Sequence, residues 1–385
     1  MRPACESDPG RLFSLFATLV RIDSVSRREK RIADFVRDFF GGLGLRCRED
    51  SAGERTGGES GNLIIKIPAA GHLPREAPLI LNAHLDTVEP GEGIVPVEDG
   101  EGFTCPGDTV LGADDKAGVA AILSAIEEVM SSGRARRPLE VVLTVQEELG
   151  LAGARNLDFS MIEGRRGIAL DGSGSLGGIV TEAPGHMRMR FIVRGRSAHA
   201  GIEPEKGVSA IECAAKAIAS LHLGRLDEGT TANIGVIEGG RAVNIVPDLA
   251  IVEGEIRSLS DGRLAEEVAG MSRAFRDAAS GSGCSLDVET ERSFQRFAID
   301  TGSPHVGRIE GAMSRCGIEP FFLKSGGGSD ANVFNEMGVE TVNINAGFEN
   351  PHSLRESIRK EDLLALTRLL VELATDVEVG GGACR

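Results

Sequence analysis

Histidine and carboxylate residues at the ends of apolar segments are the part of this sequence best suited to chemistry. His84 and Asp86 follow the apolar run 78–81 and are two positions apart, so on an extended strand their side chains point the same way. A histidine beside a carboxylate on the same face can bind a metal ion while the carboxylate orients the ring. Alone, the pattern also fits a strand end that faces solvent.

Further acidic residues lie at the ends of other predicted strands, and a second histidine lies in the polar segment 349–353. They are Asp114, Glu147, Glu148, Asp171 and His352. Histidines with carboxylates are a ligand set that suits zinc, and also manganese or cobalt. Because one ion would not use so many ligands, the set predicts two divalent ions that share one carboxylate.

The adjacent pair Glu147 and Glu148 fits a division of labour at such a centre. Neighbouring side chains diverge, so one carboxylate can bind a metal ion while the other acts as a base on water. The alternative is an exposed acidic pair at the start of a helix, where the helix dipole favours negative charge. The pair Asp114 and Asp115 has the same alternative interpretation.

The segments that must position these residues alternate between helical and strand patterns. Apolar spacing predicts amphipathic helices at 8–22 and 26–40 and a helix after residue 118, with strands at 62–67, 78–81, 139–145 and 167–171. Strands that alternate with helices indicate an α/β fold, in which sites lie outside the carboxyl ends of the strands. His84, Asp86 and the acidic residues named above are predicted at those ends, and His352 is an addition from a later segment.

A different pattern begins near residue 184. Strands are predicted at 186–193, 231–237, 248–258 and 284–292, with helices at 207–222 and 261–279. This β-α-β-β-α-β order indicates a ferredoxin-like unit. After about residue 297 the α/β pattern resumes, with strands at 321–323 and 341–344, a helix at 360–377 and a loose glycine tail at 380–382. We therefore expect a discontinuous catalytic domain, 1–183 and 297–385, and an inserted domain, 184–296.

Composition excludes some classes of partner. The formal charge of −16 argues against nucleic acid and anionic membranes. The seven cysteines are scattered and never form a Cys-x-x-Cys pair, which favours a reducing compartment. The polar N-terminus has no apolar stretch of the length of a signal peptide, and the sequence predicts a cytoplasmic protein.

Five motifs occur in a characteristic order. They are His84-Leu85-Asp86, Gly112-Ala113-Asp114-Asp115-Lys116-Ala117-Gly118, Glu147-Glu148, the strand-terminal Asp171 and the late His352. In this order and spacing the sequence resembles the co-catalytic zinc peptidase family of peptidase T, carboxypeptidase G and aminoacylase. The resemblance extends over nearly the whole chain, and the segments 113–118 and 147–150 are most similar to the peptidase T branch.

The resemblance implies a role for each ligand. His84 and Asp171 would bind one ion, Glu148 and His352 would bind the second, and Asp114 would bridge the two.

It also implies roles for the residues around the ligands. Asp86 would orient His84, and Glu147 would be the general base. The peptide bond between Asp114 and Asp115 is expected to be cis.

Other residues that the resemblance singles out lie in the inserted domain. His199 would stabilise the oxyanion, with a surface loop histidine as the alternative. Asn244 and Arg257 would contact substrate, with ordinary polar strand residues as the alternative. Typical peptidase T has Arg-Gly-Gly-Thr-Asp-Gly late in the chain, where this sequence has Gly326 to Ala331 without the arginine. Strict tripeptide specificity is therefore not implied.

These features together predict a dinuclear metal-dependent hydrolase that cleaves short peptides, of the tripeptide aminopeptidase type. An N-acyl-amino-acid or carbamoyl amidohydrolase of the same family is an alternative, as is a non-catalytic binding protein on the same fold. The segment 207–218 is rich in small apolar residues, and related enzymes pair through this unit. A homodimer is therefore expected.

Overall fold

The computed structural model describes residues 8–71 and 76–376. The chain divides into two compact units. The first comprises Met1–Thr181, Ala298–Lys324 and Ser329–Arg385, and the second comprises Glu182–Phe297 and Ser325–Gly328. The second unit contains the segment 184–296, which the sequence predicts to be an inserted domain.

The described residues form ten α-helices. They are α1 (Pro9–Val20), α2 (Lys30–Gly42), α3 (Ala52–Thr56), α4 (Ala113–Ser131), α5 (Ala152–Arg155), α6 (Ala210–Ala219), α7 (Asp261–Ser282), α8 (Pro304–Arg315), α9 (Asp330–Glu336) and α10 (Lys360–Thr375).

The same residues form eighteen strands. They are β1 (Cys47–Glu49), β2 (Leu63–Ile67), β3 (Leu79–His84), β4 (Val97–Glu98), β5 (Gly102–Thr104), β6 (Leu139–Thr144), β7 (Arg166–Gly172), β8 (Gly178–Ala183), β9 (Gly185–Arg194), β10 (Gly224–Asp227), β11 (Thr230–Gly239), β12 (Leu249–Ser258), β13 (Ser285–Phe294), β14 (Phe297–Ala298), β15 (Phe321–Lys324), β16 (Glu340–Asn345), β17 (Phe348–Glu349) and β18 (Ser357–Arg359).

The first unit is organised around a mixed sheet of nine strands. Its order is β1-β2-β6-β3-β7-β16-β8-β14, and β15 also pairs with β8. The central strands β6, β3, β7 and β16 are parallel to one another. Every residue of β3 and β6 is buried, which explains their near-continuous apolar sequence. The carboxyl ends of these parallel strands therefore meet at one edge of the sheet.

The second unit has a five-stranded antiparallel sheet with order β10-β11-β12-β9-β13. Helices α6 and α7 pack against the sheet, and the rings of Phe191 and Phe275 stack in its core with centroids 3.8 Å apart. Strands β9, β11, β12 and β13 with the two helices form the predicted ferredoxin-like arrangement, to which β10 is added. The predicted fold class, an α/β catalytic domain with a ferredoxin-like α+β unit, is confirmed.

Several predicted boundaries are wrong. The helix predicted at 26–40 begins at Lys30, because Arg27 has the left-handed φ of 77° and the backbone around it forms a loop. The helices α8 and α9 and the strand β8 were not predicted. The glycine tail predicted at 380–382 lies outside the described residues.

Candidate active site

The carboxyl ends of the central strands present the predicted metal ligands. His84 is the last residue of β3, Asp171 lies in β7, and Glu148 lies in a 3₁₀ turn, Glu147–Leu149, that follows β6. Asp114 lies at the start of α4, where its φ and ψ of −79° and 105° are not yet helical. His352 follows β17 in a loop and has a positive φ of 58°. The Asp114–Asp115 peptide bond is cis, as the family resemblance implies.

The two carboxylate oxygens of Asp114 face two different histidines. Its Oδ1 is 3.0 Å from His84 Nε2, and its Oδ2 is 3.4 Å from His352 Nε2. His84 Nε2 is also 3.8 Å from Asp171 Oδ1, and His352 Nε2 is 2.8 Å from Glu148 Oε1. A carboxylate placed in this way can contribute one oxygen to each of two adjacent ions.

Two triads of ligand atoms are compact enough to hold a divalent ion each. The atoms of His84, Asp114 and Asp171 lie within 4.8 Å of one another, and so do those of Asp114, Glu148 and His352. A third group, His84 with Glu147 and Glu148, meets the same criterion. Imidazole nitrogens with carboxylate oxygens are a donor set that fits zinc, cobalt or manganese. The residues present therefore fit a pair of divalent ions.

The site concentrates negative charge in a buried setting. Burial and then the neighbouring Glu147 raise the pKa of Asp171 well above its usual value. Burial and then Glu148, Asp330 and Asp86 raise the pKa of Glu147 in the same way, against the opposing effect of His84. Such carboxyl groups favour a bound proton or a bound cation over free charge.

The pKa values of the two histidines are also raised, which for an imidazole favours the charged form. Hydrogen bonds to Asp114 and Glu148 raise the pKa of His352 to about 10. Burial disfavours the charged imidazole of His84, but its contacts with Asp114 and Asp86 outweigh this effect and raise the pKa well above its usual value. Because the adjacent carboxylates are what raises both pKa values, cations bound between these groups would replace the protons.

Asp86 connects the candidate ligand His84 with the acidic pair Glu147 and Glu148. Its Oδ1 accepts a hydrogen bond from Glu147 N at 2.9 Å, and its Oδ2 accepts one from Glu148 N at 3.2 Å. Asp86 Oδ1 is also 3.4 Å from His84 Nδ1, and its carbonyl oxygen is 2.9 Å from the same nitrogen. This single buried residue thus holds the ring of His84, mainly through its carbonyl oxygen, and the backbone of the Glu147–Glu148 turn through its carboxylate.

The loop before α2 supports this arrangement, and the sequence did not reveal it. The Ser26 hydroxyl donates to Asp86 Oδ2 at 2.6 Å. Glu29 Oε1 accepts from Arg27 N at 2.8 Å and from Gln146 N at 3.1 Å, next to Glu147. Burial, then the charge of Asp86, raises the pKa of Glu29 to about 7. No local motif marks these residues, because their partners are about 60 to 120 positions away.

Glu356 is a second supporting residue that the sequence did not reveal. Its carboxylate accepts hydrogen bonds from Gly112 N at 2.7 Å and from Asp114 N at 2.8 Å. Gly112 has a φ of 71°, which favours glycine there. Since Glu356 is four residues after His352, it ties the loop that carries this histidine to the loop that carries Asp114.

A buried polar group lies between the strand ends and the start of α9. Asp330 Oδ2 accepts hydrogen bonds from the Thr144 hydroxyl and from Asn82 Nδ2, the latter at 3.3 Å. Burial raises the pKa of Asp330 to about 6. This aspartate belongs to the segment 326–331, in which the sequence departs from typical peptidase T.

The three residues predicted to contact substrate lie in the second unit. His199 forms an isolated bridge with Ile245, and Ala200 N donates to Asn244 O at 2.9 Å, so His199 and Asn244 belong to paired loops. Arg257 lies on β12, where its Nε is 3.1 Å from Glu255 Oε1. The substrate roles of these residues remain predictions.

The chain is similar to known peptidases, which agrees with the geometry of the candidate site. Residues 181–281 match the family model described as a peptidase dimerisation domain, and residues 62–177 match the model of peptidase family M28. The uncharacterised protein YqjE of Bacillus subtilis is 39% identical over 94% of this chain and 97% of its own length. Within the described residues, no helix is both long and apolar enough to cross a membrane.

Solved structures extend this similarity. The aminopeptidase PepT of Bacillus cereus is 40% identical, with a TM-score of 0.86 over 96% of this chain and 98% of its own. A tripeptidase of Staphylococcus aureus is 35% identical, with a TM-score of 0.90 over the same shares. The fold and the site define a hydrolase of the peptidase class. More specifically, the chain belongs to the M20 peptidase family, among its peptidase T-like members, which confirms the predicted family.

Proposed function

We propose that this protein is a dinuclear metal-dependent aminopeptidase that cleaves short peptides, with tripeptides as its preferred substrates. The observation that carries the proposal is the position of Asp114 between His84 and His352, with Glu147 in the adjoining turn. The similarity to an aminopeptidase and to a tripeptidase, each over nearly the full chain, supports the choice of substrate.

The proposed ligands divide into two sets that share Asp114. His84 and Asp171 would hold one ion, and Glu148 and His352 would hold the other, with zinc as the proposed metal and cobalt or manganese compatible with the same donors. When bound, the ions would supply Lewis acidity to the scissile carbonyl and to water.

The chain's own residues would move the proton and fix the geometry. Glu147 would take a proton from the attacking water and return it to the amine that leaves. Its burial among carboxylates raises its pKa, which favours the protonated form needed for the second transfer. Asp86 would hold His84 and the Glu147–Glu148 turn in place, and His199 would stabilise the oxyanion, with Asn244 and Arg257 as substrate contacts.

The adjacent glutamates allow a matched test of these roles. Glu147→Gln should keep both metal ions and lose about 10²–10⁴-fold in kcat on a tripeptide such as trialanine, because the base is removed. Glu148→Gln should instead lower the metal content. The exposed Glu54→Gln on α3 is the control and should change neither. A Glu147→Gln enzyme with nearly the wild-type rate would refute the assignment.

A substrate panel tests the reaction class separately. The wild-type enzyme should hydrolyse tripeptides faster than dipeptides, N-acyl amino acids and N-carbamoyl amino acids. Gly326 stands where peptidase T typically has an arginine. We therefore expect that replacing the terminal carboxylate of a tripeptide by an amide lowers the rate less than it would in an enzyme whose pocket binds that carboxylate strictly. Preferential hydrolysis of N-acyl amino acids would contradict the proposal while leaving the metal site intact.

We further propose a homodimer formed through the second unit. Strand β10 pairs with only the first residues of β11, so within the described residues the segment 233–239 has one edge without a neighbouring strand. Val236 and Ile237 on this segment are 44% and 53% exposed. Pairing of this edge with a second copy would satisfy its backbone groups.

Complementation tests whether the dimer shares sites. If His199 acts on the partner's centre, mixing His199→Ala with Glu147→Ala should restore part of the activity after subunits exchange. Failure to restore activity after exchange is verified would mean that His199 acts within its own chain or has no role.

We also propose a cytoplasmic location. Five described cysteines are free thiols, namely Cys47, Cys105, Cys213, Cys284 and Cys316, as expected in a reducing compartment.

A further inference from the structure

A cavity of about 360 Å³ lies at the amino-terminal ends of the central strands, opposite the candidate active site. Four arginines and a glutamate contribute to its lining: Arg137, Arg165, Arg166, Arg308 and Glu76. Arg137 precedes β6, and Arg166 is the first residue of β7, whereas His84 lies at the far end of β3. At about 3.3 Å per residue, the length of β3 separates the two sites by roughly 17 Å.

Arg137 is the buried member of this cluster. Its side chain is 7% exposed, and its Nη2 is 3.1 Å from Glu76 Oε2. Among the residues that the structure describes, its Nε has no hydrogen-bond acceptor. A buried guanidinium donor is normally satisfied, because an unmade hydrogen bond at a charged group is costly. The wall of the cavity thus carries a donor that an anion could satisfy.

Among the described residues around the cavity, positive charge exceeds negative charge. Glu76 Oε2 is also 3.3 Å from Arg308 Nη1, so one carboxylate serves two arginines. Glu340 Oε2 is 3.6 Å from Arg166 Nε and is the second carboxylate of the cluster. The four arginines that line the cavity and these two carboxylates leave an excess of two positive charges.

Neighbouring groups do not remove this excess. Burial, and then the charges of Arg308 and Arg166, lowers the pKa of Arg137. Asp376 also acts on Arg137; its carboxylate is 2.6 Å from Arg315 Nη2, which pairs with Glu372 as well, so Arg315 offsets the charge of Asp376 only in part. Burial lowers the pKa of His305, so this ring adds no charge at neutral pH. Such a site is conspicuous in a chain whose formal net charge is −16.

We propose that this cavity binds a phosphate group, either as inorganic phosphate or as the phosphate of a small monoester. A phosphate carries a charge of about −1.5 to −2 at neutral pH, which matches the excess. Guanidinium groups bind phosphate oxygens through paired N–H donors, and several such groups can surround a tetrahedral anion. A carboxylate ligand would carry only one negative charge, and the carboxylate of Glu76 already lies between Arg137 and Arg308. Phosphate therefore fits the cavity better than a carboxylate does.

The experiment is titration calorimetry of the metal-loaded enzyme with inorganic phosphate at constant ionic strength. Because the metal centre can also take phosphate, the readout is the difference between variants. Arg308→Gln and the exposed Arg165→Gln should each weaken one phosphate-binding event at least tenfold. Arg48→Gln is the control, since Arg48 is exposed on the edge strand β1 and does not line the cavity. This control should bind phosphate as the wild type does.

Competition measurements identify the ligand, and measurements of Tm and kcat show whether the variants are folded. Competition with adenosine monophosphate distinguishes a monoester from free phosphate, and acetate tests for a carboxylate site. Phosphate should raise the Tm of the wild type and of Arg48→Gln more than that of Arg308→Gln, while kcat on a tripeptide at low phosphate stays unchanged in all three. Equal phosphate binding in all variants, or displacement of phosphate by equimolar acetate, would overturn the proposal.

Discussion

Asp86→Asn is the substitution that tests most sharply how the active-site turn is held. The buried carboxylate accepts hydrogen bonds from Glu147 N, Glu148 N and the Ser26 hydroxyl at 2.9, 3.2 and 2.6 Å. Asparagine has nearly the same shape, but one of its two polar atoms is a donor. In either orientation of the amide, at least one backbone N–H of the turn therefore faces another donor.

The expected cost follows from these contacts. A buried N–H left without an acceptor costs about 1–3 kcal/mol, and the remaining hydrogen bonds lose the extra strength of a charged acceptor, about 1 kcal/mol. The total is about 2–4 kcal/mol. If the loss falls on the transition state, kcat/KM should fall about 30- to 1,000-fold, at about 1.4 kcal/mol per tenfold change.

The assay is the hydrolysis of trialanine, together with the metal content of the purified variant. Asp38→Asn, on the exposed face of α2, is the control and should keep the wild-type rate. A rate for Asp86→Asn within about threefold of the wild type, at full metal content, would refute the idea that Asp86 positions the turn.

Three further predictions concern metal binding and pH. Glu356→Gln should weaken metal binding at least tenfold, because the amide cannot accept hydrogen bonds from both Gly112 N and Asp114 N. Chelator competition measures the affinity, and an unchanged value would contradict this role. Removal of metal should lower the Tm more at pH 8 than at pH 5.5. The raised pKa values of Glu147 and Asp171 mean that the metal-free fold loses stability as pH rises, and a pH-independent loss would contradict this reasoning. Hydrogen bonds from His186 and Arg257 lower the pKa of Glu255 to about 2, so its contribution to stability is present above about pH 4.3 and is lost as pH falls towards 2. The difference in Tm between the wild type and Glu255→Gln should therefore shrink between pH 5 and pH 2.5, and a constant difference would show that Glu255 is not responsible.

The metal-ligand candidates could be read from the sequence because they follow strong local signals. His84 and Asp171 end apolar runs that the sequence predicts to be buried strands, and parallel strands bring such ends together. The cis peptide bond after Asp114 was expected only because of the family resemblance. The proximity of His352 also required the resemblance, since nothing near it in the sequence indicates where its loop returns.

The supporting residues could not be predicted in this way. Apolar spacing predicts a helix from residue 26, whereas α2 begins at Lys30. The residues between are a loop, and from it Ser26 and Glu29 contact Asp86 and the active-site turn. Helix α8 did have a recognisable start, because Ser303 caps it and Pro304 follows in its first turn. Glu356 follows no motif, and its role depends entirely on tertiary contacts.

The arginine cavity illustrates the same limit. Arg137, Arg166 and Arg308 are spread over more than 170 positions and come together only because β6, β7 and α8 begin at the same end of the first unit. In the sequence each is an isolated basic residue, and the net charge of −16 argues against nucleic acid and anionic membranes as partners, so it gives no hint of a site for a small anion.

The most direct test of the central claim is an anomalous diffraction map of zinc-loaded crystals, measured on both sides of the zinc edge. The proposed centre predicts two peaks about 3.5–4 Å apart, one beside His84 and Asp171 and the other beside Glu148 and His352, with Asp114 between them. A single peak, or two peaks that do not share Asp114, would contradict a dinuclear centre bridged by this residue.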